Sequence, residues 1–370
     1  MLKIMLVFGT RPEAIKMAPL VKAIEKTETM ESVVCVTAQH REMLDQVLEL
    51  FDIRAQYDLN LMKSGQSLSD ITAGVLKGLE AIIVKEKPDL LLVHGDTTTT
   101  LSASLAAFYQ QIPVGHVEAG LRSGNIYSPY PEEMNRMLVS RMATVHFAAT
   151  SGNCENLVGE GISKDKIYLT GNTVIDALKM MIKEDYHFDN PLLNNIDYER
   201  QFVCLLTAHR RENLGEPMIN IFKAIRKAVE TYNHLEIIFP MHLNPNVRKL
   251  AYEILGKHAR IHLIEPLEYE AFANLQARVK IILTDSGGIQ EEAPALGKPV
   301  VVLRTETERP EAVEAGTVVI AGVAYDSVYH ELVKLVTDVT HYKKMSEATN
   351  PYGDGRACEK IIKSILDYFE

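Results

Sequence analysis

Val279-Lys280-Ile281-Ile282-Leu283-Thr284-Asp285-Ser286-Gly287-Gly288-Ile289-Gln290-Glu291-Glu292 is the stretch from which the architecture can be read. Its first five residues form a short apolar run of the kind a buried parallel strand shows. A helix opens after it and ends near Leu296-Gly297, and a second apolar run, Pro299 to Leu303, follows directly. Strand, helix and strand in so short a span make a crossover unit of a parallel sheet. Ser286 suits the capping position of the helix, and Gly287 and Gly288 let another molecule approach the backbone closely. Two readings of the turn stand side by side. In one, its amides hold a pyrophosphate and Glu292, one turn on, binds ribose hydroxyls. In the other it is an ordinary helix start, with acids where the helix dipole favours them.

The alternation continues outward. Upstream, apolar runs fall at 3–9, 32–37, 90–94, 113–117, 145–149 and 166–169, separated by segments of helical spacing such as 13–26 and 68–87. A second set at 202–207, 236–239, 261–264, 279–283, 299–303 and 317–320 repeats the theme. This predicts an α/β protein with two Rossmann-like, doubly wound domains and a cleft at the carboxyl ends of their sheets. The polar stretch 184–200, rich in Asn and Asp, is expected to link them.

At 370 residues the chain is long for one hydrophobic core. Its net charge of -10 argues against nucleic acid as the main partner, so a bound anion must be held by local positive charge. No apolar segment has the length of a bilayer span, and MLKIMLVFGTRPEA at the amino end runs from a strand straight into a charged turn, unlike a signal peptide. Cys35, Cys154, Cys204 and Cys358 are scattered, with no Cys-x-x-Cys pair. Reduced thiols, no metal site and a cytoplasmic setting are expected.

Ligands of doubly wound sheets sit beyond the carboxyl ends of the strands. After the first strand, Gly9-Thr10-Arg11-Pro12-Glu13-Ala14-Ile15-Lys16 contains no Gly-x-Gly-x-x-Gly, so nicotinamide chemistry has no support and no cofactor is expected. Arg11 and Lys16 oppose the dipole of the helix they open unless an anion lies between them. A solvated basic turn is the other reading. Asp96, Glu118 and the pair Glu132-Glu133 stand at later strand tips or helix starts. Each alone is equally well explained as a cap or a dipole partner. Three acids sharing one site push their pKa values apart, and such a site holds both an acid and a base. In the second half His209 follows a strand, where it either meets phosphate, moves a proton or is structural. Arg304 and Arg309 flank the loop after Leu303, and Arg309 is placed to reach the same pyrophosphate.

The quoted tips belong to longer segments: FGTRPEAIKMAPL from Phe8, TAQHREMLDQVL from Thr37, VHGDTTTTL from Val93, GHVEAGLRS from Gly115, PEEMNR from Pro131 and GNTVIDAL from Gly171. HRREN from His209, HLNPNVR from His242, LTDSGGIQEEAP from Leu283, ERPEA from Glu308 and NPYGDG from Asn350 continue the series. In order, and over essentially the whole chain, this resembles the non-hydrolysing UDP-N-acetylglucosamine 2-epimerases of bacteria. The resemblance implies the glycosyltransferase-B architecture, with domains at 1–184 and 185–351 and a last helix, 352–370, crossing back to the first. It also implies a homodimer with no nucleic-acid or membrane partner. Arg11, Lys16, His209, Phe272, Ser286, Gly287, Gly288, Glu292 and Arg309 match positions that hold UDP. Asp96, Glu118 and Glu132 match the catalytic acids, and His209 is placed with them. Gln39 and His40 match part of a regulatory site for a second UDP-N-acetylglucosamine. Gly74 departs from the pattern, standing where many members carry an Arg of that site. Leu267 also departs, standing where some have Gln beside the base.

Such an enzyme interconverts UDP-N-acetylglucosamine and UDP-N-acetylmannosamine for surface polysaccharide synthesis. The hydrogen at carbon 2 is not acidified by a carbonyl, so inversion without a redox cofactor requires elimination. A base takes that hydrogen while UDP leaves carbon 1, UDP adds back to the unsaturated sugar, and a proton returns on the other face. A hydrolysing relative that releases free N-acetylmannosamine, a glycosyltransferase and a non-catalytic UDP-sugar sensor are the competing readings.

Overall fold

The computed structural model describes residues 1–37, 41–61 and 65–370. They fold as two compact units, one of Met1–Met180 with Tyr352–Glu370, the other of Met181–Pro351. The first unit has seven parallel strands: β1 (Leu2–Phe8), β2 (Met30–Val36), β3 (Tyr57–Asp58), β4 (Leu90–His94), β5 (Val114–Ala119), β6 (Val145–Ala148) and β7 (Ile167–Leu169). Their order across the sheet is β3-β2-β1-β4-β5-β6-β7. The second unit has β8 (Phe202–Thr207), β9 (Leu235–Pro240), β10 (Ile261–Ile264), β11 (Ile281–Thr284), β12 (Val300–Val302) and β13 (Val318–Ile320), ordered β10-β9-β8-β11-β12-β13 and again parallel. Each sheet is thus doubly wound, as the alternation predicts. Its order reverses once, between β1 and β4 in the first unit and between β8 and β11 in the second. At those switch points the crossover helices leave on opposite faces, which opens a crevice beyond the strand ends.

Helices on both faces explain why the central strands are apolar throughout. Every residue of β4 is buried, as are all but the first of β8. Strand β3 has no counterpart among the apolar runs, since it is two residues long, with Tyr57 half-buried and Asp58 exposed. The stretch 184–200 is not a free linker. It lies in the second unit, where Phe188 and Leu193 are buried and Pro191–Asn195 forms a short helix capped by Asn190. The chain changes unit earlier, after Met180.

The last helix, Ala357–Phe369, packs on Arg11–Glu25 and so belongs to the first unit. Its own cap residue, Arg356, makes no side-chain cap bond. The buried carboxylate of Asp176 does that work instead, accepting from the Ala357 and Cys358 N–H groups at 3.1 and 2.9 Å. The four cysteines are free thiols, with Cys35, Cys204 and Cys358 buried. Among the described residues no helix is long and apolar enough to cross a membrane.

Candidate active site

At the switch point of the first unit, the turn after β1 is organised by Glu13. This acid is 2 % exposed, and its four bonds account for both oxygens: the Gly9 and Thr10 N–H groups donate to one, the Thr97 and Thr100 hydroxyls to the other. Glu13 therefore ties the β1 turn to the β4 turn and has no oxygen left for a ligand. Arg11 and Lys16 lie on the helix it starts.

Asp96 follows β4 but does not cap the next helix, because Thr97 does that through the Thr100 N–H. The Asp96 carboxylate is instead gripped by Arg136, whose Nε lies 2.9 Å and Nη2 2.5 Å from Oδ2. Asn135 adds a bond to the Asp96 carbonyl at 2.8 Å. Both partners come from Glu132–Met142, so the start of that helix is drawn onto the Asp96 loop.

The same helix separates its two leading acids. Glu133 is buried and fully used, accepting from the Ser123 and Gly124 N–H groups and from Arg136. Burial raises its pKa, but these donors outweigh burial and hold it below the usual carboxylate range. Glu132 has a buried Oε2 with no hydrogen-bond partner among the described residues. Of the two, only Glu132 keeps an oxygen for chemistry.

Glu118 sits in β5 at a break in the β5–β6 register, with φ of 62°. A left-handed backbone at a residue with a side chain is strained, and strain of this kind collects at working sites. Oε2 of Glu118 accepts from Lys16 Nζ and, at 2.9 Å, from Asn172 Nδ2, while His94 Nε2 lies 3.6 Å away. Burial pushes this carboxyl up, yet Lys16 and then His94 overcome it and hold Glu118 well below the usual range. Lys16, matched by resemblance to a UDP contact, is here the counter-ion of an acid. The carbonyl of Gly95 accepts from buried His116 at 2.7 Å, which steadies the turn between Asp96 and β4.

In the second unit, His209 and Asp285 follow β8 and β11, the two strands at the switch point. His209 Nδ1 lies 3.4 Å from Oδ1 of Asp285, and its ring stacks on His242 with centroids 5.5 Å apart. Ser286 is not the helix cap. Its N–H turns back to Thr284 Oγ1 at 2.9 Å, and α-helix begins only at Ile289, continuing as 3-10 turns to Leu296. The two glycines serve different ends. Above Gly287 lies the Arg309 guanidinium, so near that a Cβ there would stand 3.0 Å from Nη1. A Cβ on Gly288 would enter open space.

Arg309 is itself bonded through Nε to Oε1 of Glu291 at 2.7 Å. Glu292 is buried and accepts from Gln276 at 2.8 Å. Arg304 pairs with Glu212 through Nε at 2.8 Å. Phe272 and Leu267 are half-buried, Phe272 on the helix Tyr269–Arg278 and Leu267 just before it. Asn135, Arg136, Asn172, His242, Asp285 and Glu291 are the site-forming partners that sequence spacing did not single out. Pairing across the sheet identifies them.

Gln39 and His40 lie outside the described residues. Gly74 is in the helix Leu68–Glu86 with Leu61 against it, 3.2 Å from where a Cβ would stand. A long side chain at 74 would have to displace that leucine. Among the described residues no group of three His, Cys, Asp or Glu side chains is arranged to hold a metal ion.

Comparison with known proteins identifies the family. A family model described as UDP-N-acetylglucosamine 2-epimerase matches residues 22–366. A Bacillus subtilis protein named UDP-N-acetylglucosamine 2-epimerase is 54 % identical over 368 residues, covering 100 % of this chain and 96 % of its own. The Neisseria meningitidis UDP-GlcNAc 2-epimerase, whose crystal structure is described as bound to UDP-GlcNAc, is 50 % identical with a TM-score of 0.86, covering 99 % of this chain and 100 % of its own. A Staphylococcus aureus structure described as a complex with UDP is 51 % identical with a TM-score of 0.90, covering 100 % of this chain and 97 % of its own.

Proposed function

The chain belongs to the UDP-N-acetylglucosamine 2-epimerase family, and we propose that it interconverts UDP-N-acetylglucosamine and UDP-N-acetylmannosamine by elimination and re-addition of UDP. The observation that carries the mechanism is Glu118, an acid held well below the usual carboxylate range by Lys16 and His94. Removing the hydrogen from carbon 2 requires a base that stays anionic while buried, and a nearby cation supplies that condition. Glu132, with its unpaired oxygen, takes or returns a proton on the sugar, and Arg136 keeps Asp96 aimed for the same work. The departing diphosphate needs preorganised charge and hydrogen-bond donors: Arg309 supplies the charge, and His209 and the Gly287-Gly288 turn supply N–H donors. Arg11 and Lys16 are further contacts of UDP in this reading, and Phe272 and Glu292 serve the nucleoside. In the same reading the intermediate is a bound 2-acetamidoglucal and the enzyme is a cytoplasmic homodimer. Its product feeds surface polysaccharide synthesis.

Incubation with UDP-N-acetylglucosamine in deuterium oxide tests this directly. Deuterium at carbon 2 together with the manno isomer of the UDP-sugar is the expected result. Conversion with the original hydrogen retained overturns elimination, and free N-acetylmannosamine as the main product shows hydrolysis instead.

A further inference from the structure

The second unit buries an acid that no role above accounts for. Asp285 is 0 % exposed, yet it stands at the end of β11 among groups expected to meet a diphosphate. Its Oδ2 is saturated, accepting from the His209 and Arg210 N–H groups at 2.9 Å each and from Asn213 Nδ2 at 3.1 Å. Its Oδ1 is buried with no hydrogen-bond partner among the described residues, and the nearby polar atom is His209 Nδ1 at 3.4 Å. Leaving a carboxylate oxygen dry and unpaired is costly, and a small turn of the imidazole would satisfy it.

We propose that Asp285 is a positioning residue which accepts the Nδ1–H of His209, so that Nε2 faces the ligand and gains a proton as the diphosphate binds. The proposal rests on the reading of His209 as a UDP contact. Its logic is that of a carboxylate behind an imidazole: the acid fixes the tautomer and stabilises the imidazolium when it forms. The surrounding charges fit a ring that is neutral until an anion arrives. Burial lowers the His209 pKa, Asp285 raises it, and His242 and Arg210 lower it again, with a net downward shift. A diphosphate at Nε2 adds the negative charge that reverses this balance. The proton comes from solvent, so binding and proton uptake are linked.

Calorimetric titration with UDP near neutral pH, in buffers of different ionisation enthalpy, measures that uptake. The native protein is expected to take up a sizeable part of one proton per UDP, and Asp285→Asn to bind UDP with little or none. Asp285→Asn binding UDP with unchanged uptake overturns the proposal, because the acid would then only tie down backbone. Should that variant fail to fold or bind, the nitrogen-15 shifts of His209 in the native, ligand-free protein decide. A proton on Nδ1 supports the assignment, and a proton on Nε2 alone rejects it. Neither measurement requires turnover, so absence of epimerisation leaves this test standing.

Discussion

The two switch points use opposite charges in the same way. In the first unit an acid stands forward and a cation supports it, Arg136 behind Asp96. In the second, nitrogen donors stand forward and acids support them, Asp285 behind His209 and Glu291 behind Arg309. Burial tells which member supports which: Asp96 is 24 % exposed against 11 % for Arg136, and His209 39 % against 0 % for Asp285. Arg309 and Glu291 follow the same rule. The more buried ion fixes the aim of the more exposed one, since leaving it without that partner would strand an uncompensated charge in a poor solvent. Lys16 and Glu118 are equally covered, so this pair has no fixed front and back. That is consistent with a lysine that serves both the acid and an incoming anion.

Substitution at each front sharpens the contrast. Asp96→Asn is expected to reduce turnover by about a hundredfold to ten-thousandfold, the usual worth of a positioned acid or base, while UDP affinity is unchanged. Steady-state rates and UDP titration check it, and a loss of folding would show Asp96 to be structural. Arg309→Met should reverse the pattern, weakening UDP by about tenfold to a hundredfold through loss of a charge-assisted bond. If both variants lose affinity equally, the division of labour between the units fails. Lys16→Met carries the subtlest effect. With the cation gone, His94 remains to oppose burial, and the Glu118 pKa rises. A depressed carboxyl stays ionised down through mildly acidic pH, whereas a raised one is protonated there. The acid limb of the kcat/KM profile is therefore expected to move to higher pH, with the smallest loss of activity at high pH.

The fold was legible because buried parallel strands must be apolar on both faces, and that leaves runs such as 90–94 and 202–207 in plain view. Strand β3 was illegible for the converse reason, since one half-buried and one exposed residue leave no run. The polar composition of 184–200 suggested a linker, yet Phe188 and Leu193 suffice to anchor it, and composition averages over such single residues. At the site, the front residues could be read from strand ends. Their supports could not, because Arg136 reaches Asp96 from forty positions away and Glu291 meets Arg309 only after the chain has made another strand. Spacing also could not separate Glu132 from Glu133. Neighbours on a helix share composition and differ only in direction, and direction gave one of them to the 123–124 backbone.

Because the helix Ala357–Phe369 seats on the first unit through Asp176 and Arg11–Glu25, that unit is discontinuous in the chain. During synthesis the ribosome delivers all of the second unit before the segment that completes the first. The acid-bearing half therefore waits with an uncovered apolar strip that Ile361 and Ile365 later seal. Order of birth and order of completion run in opposite directions, and a chaperone acting on the nascent polypeptide would find its substrate at the amino end.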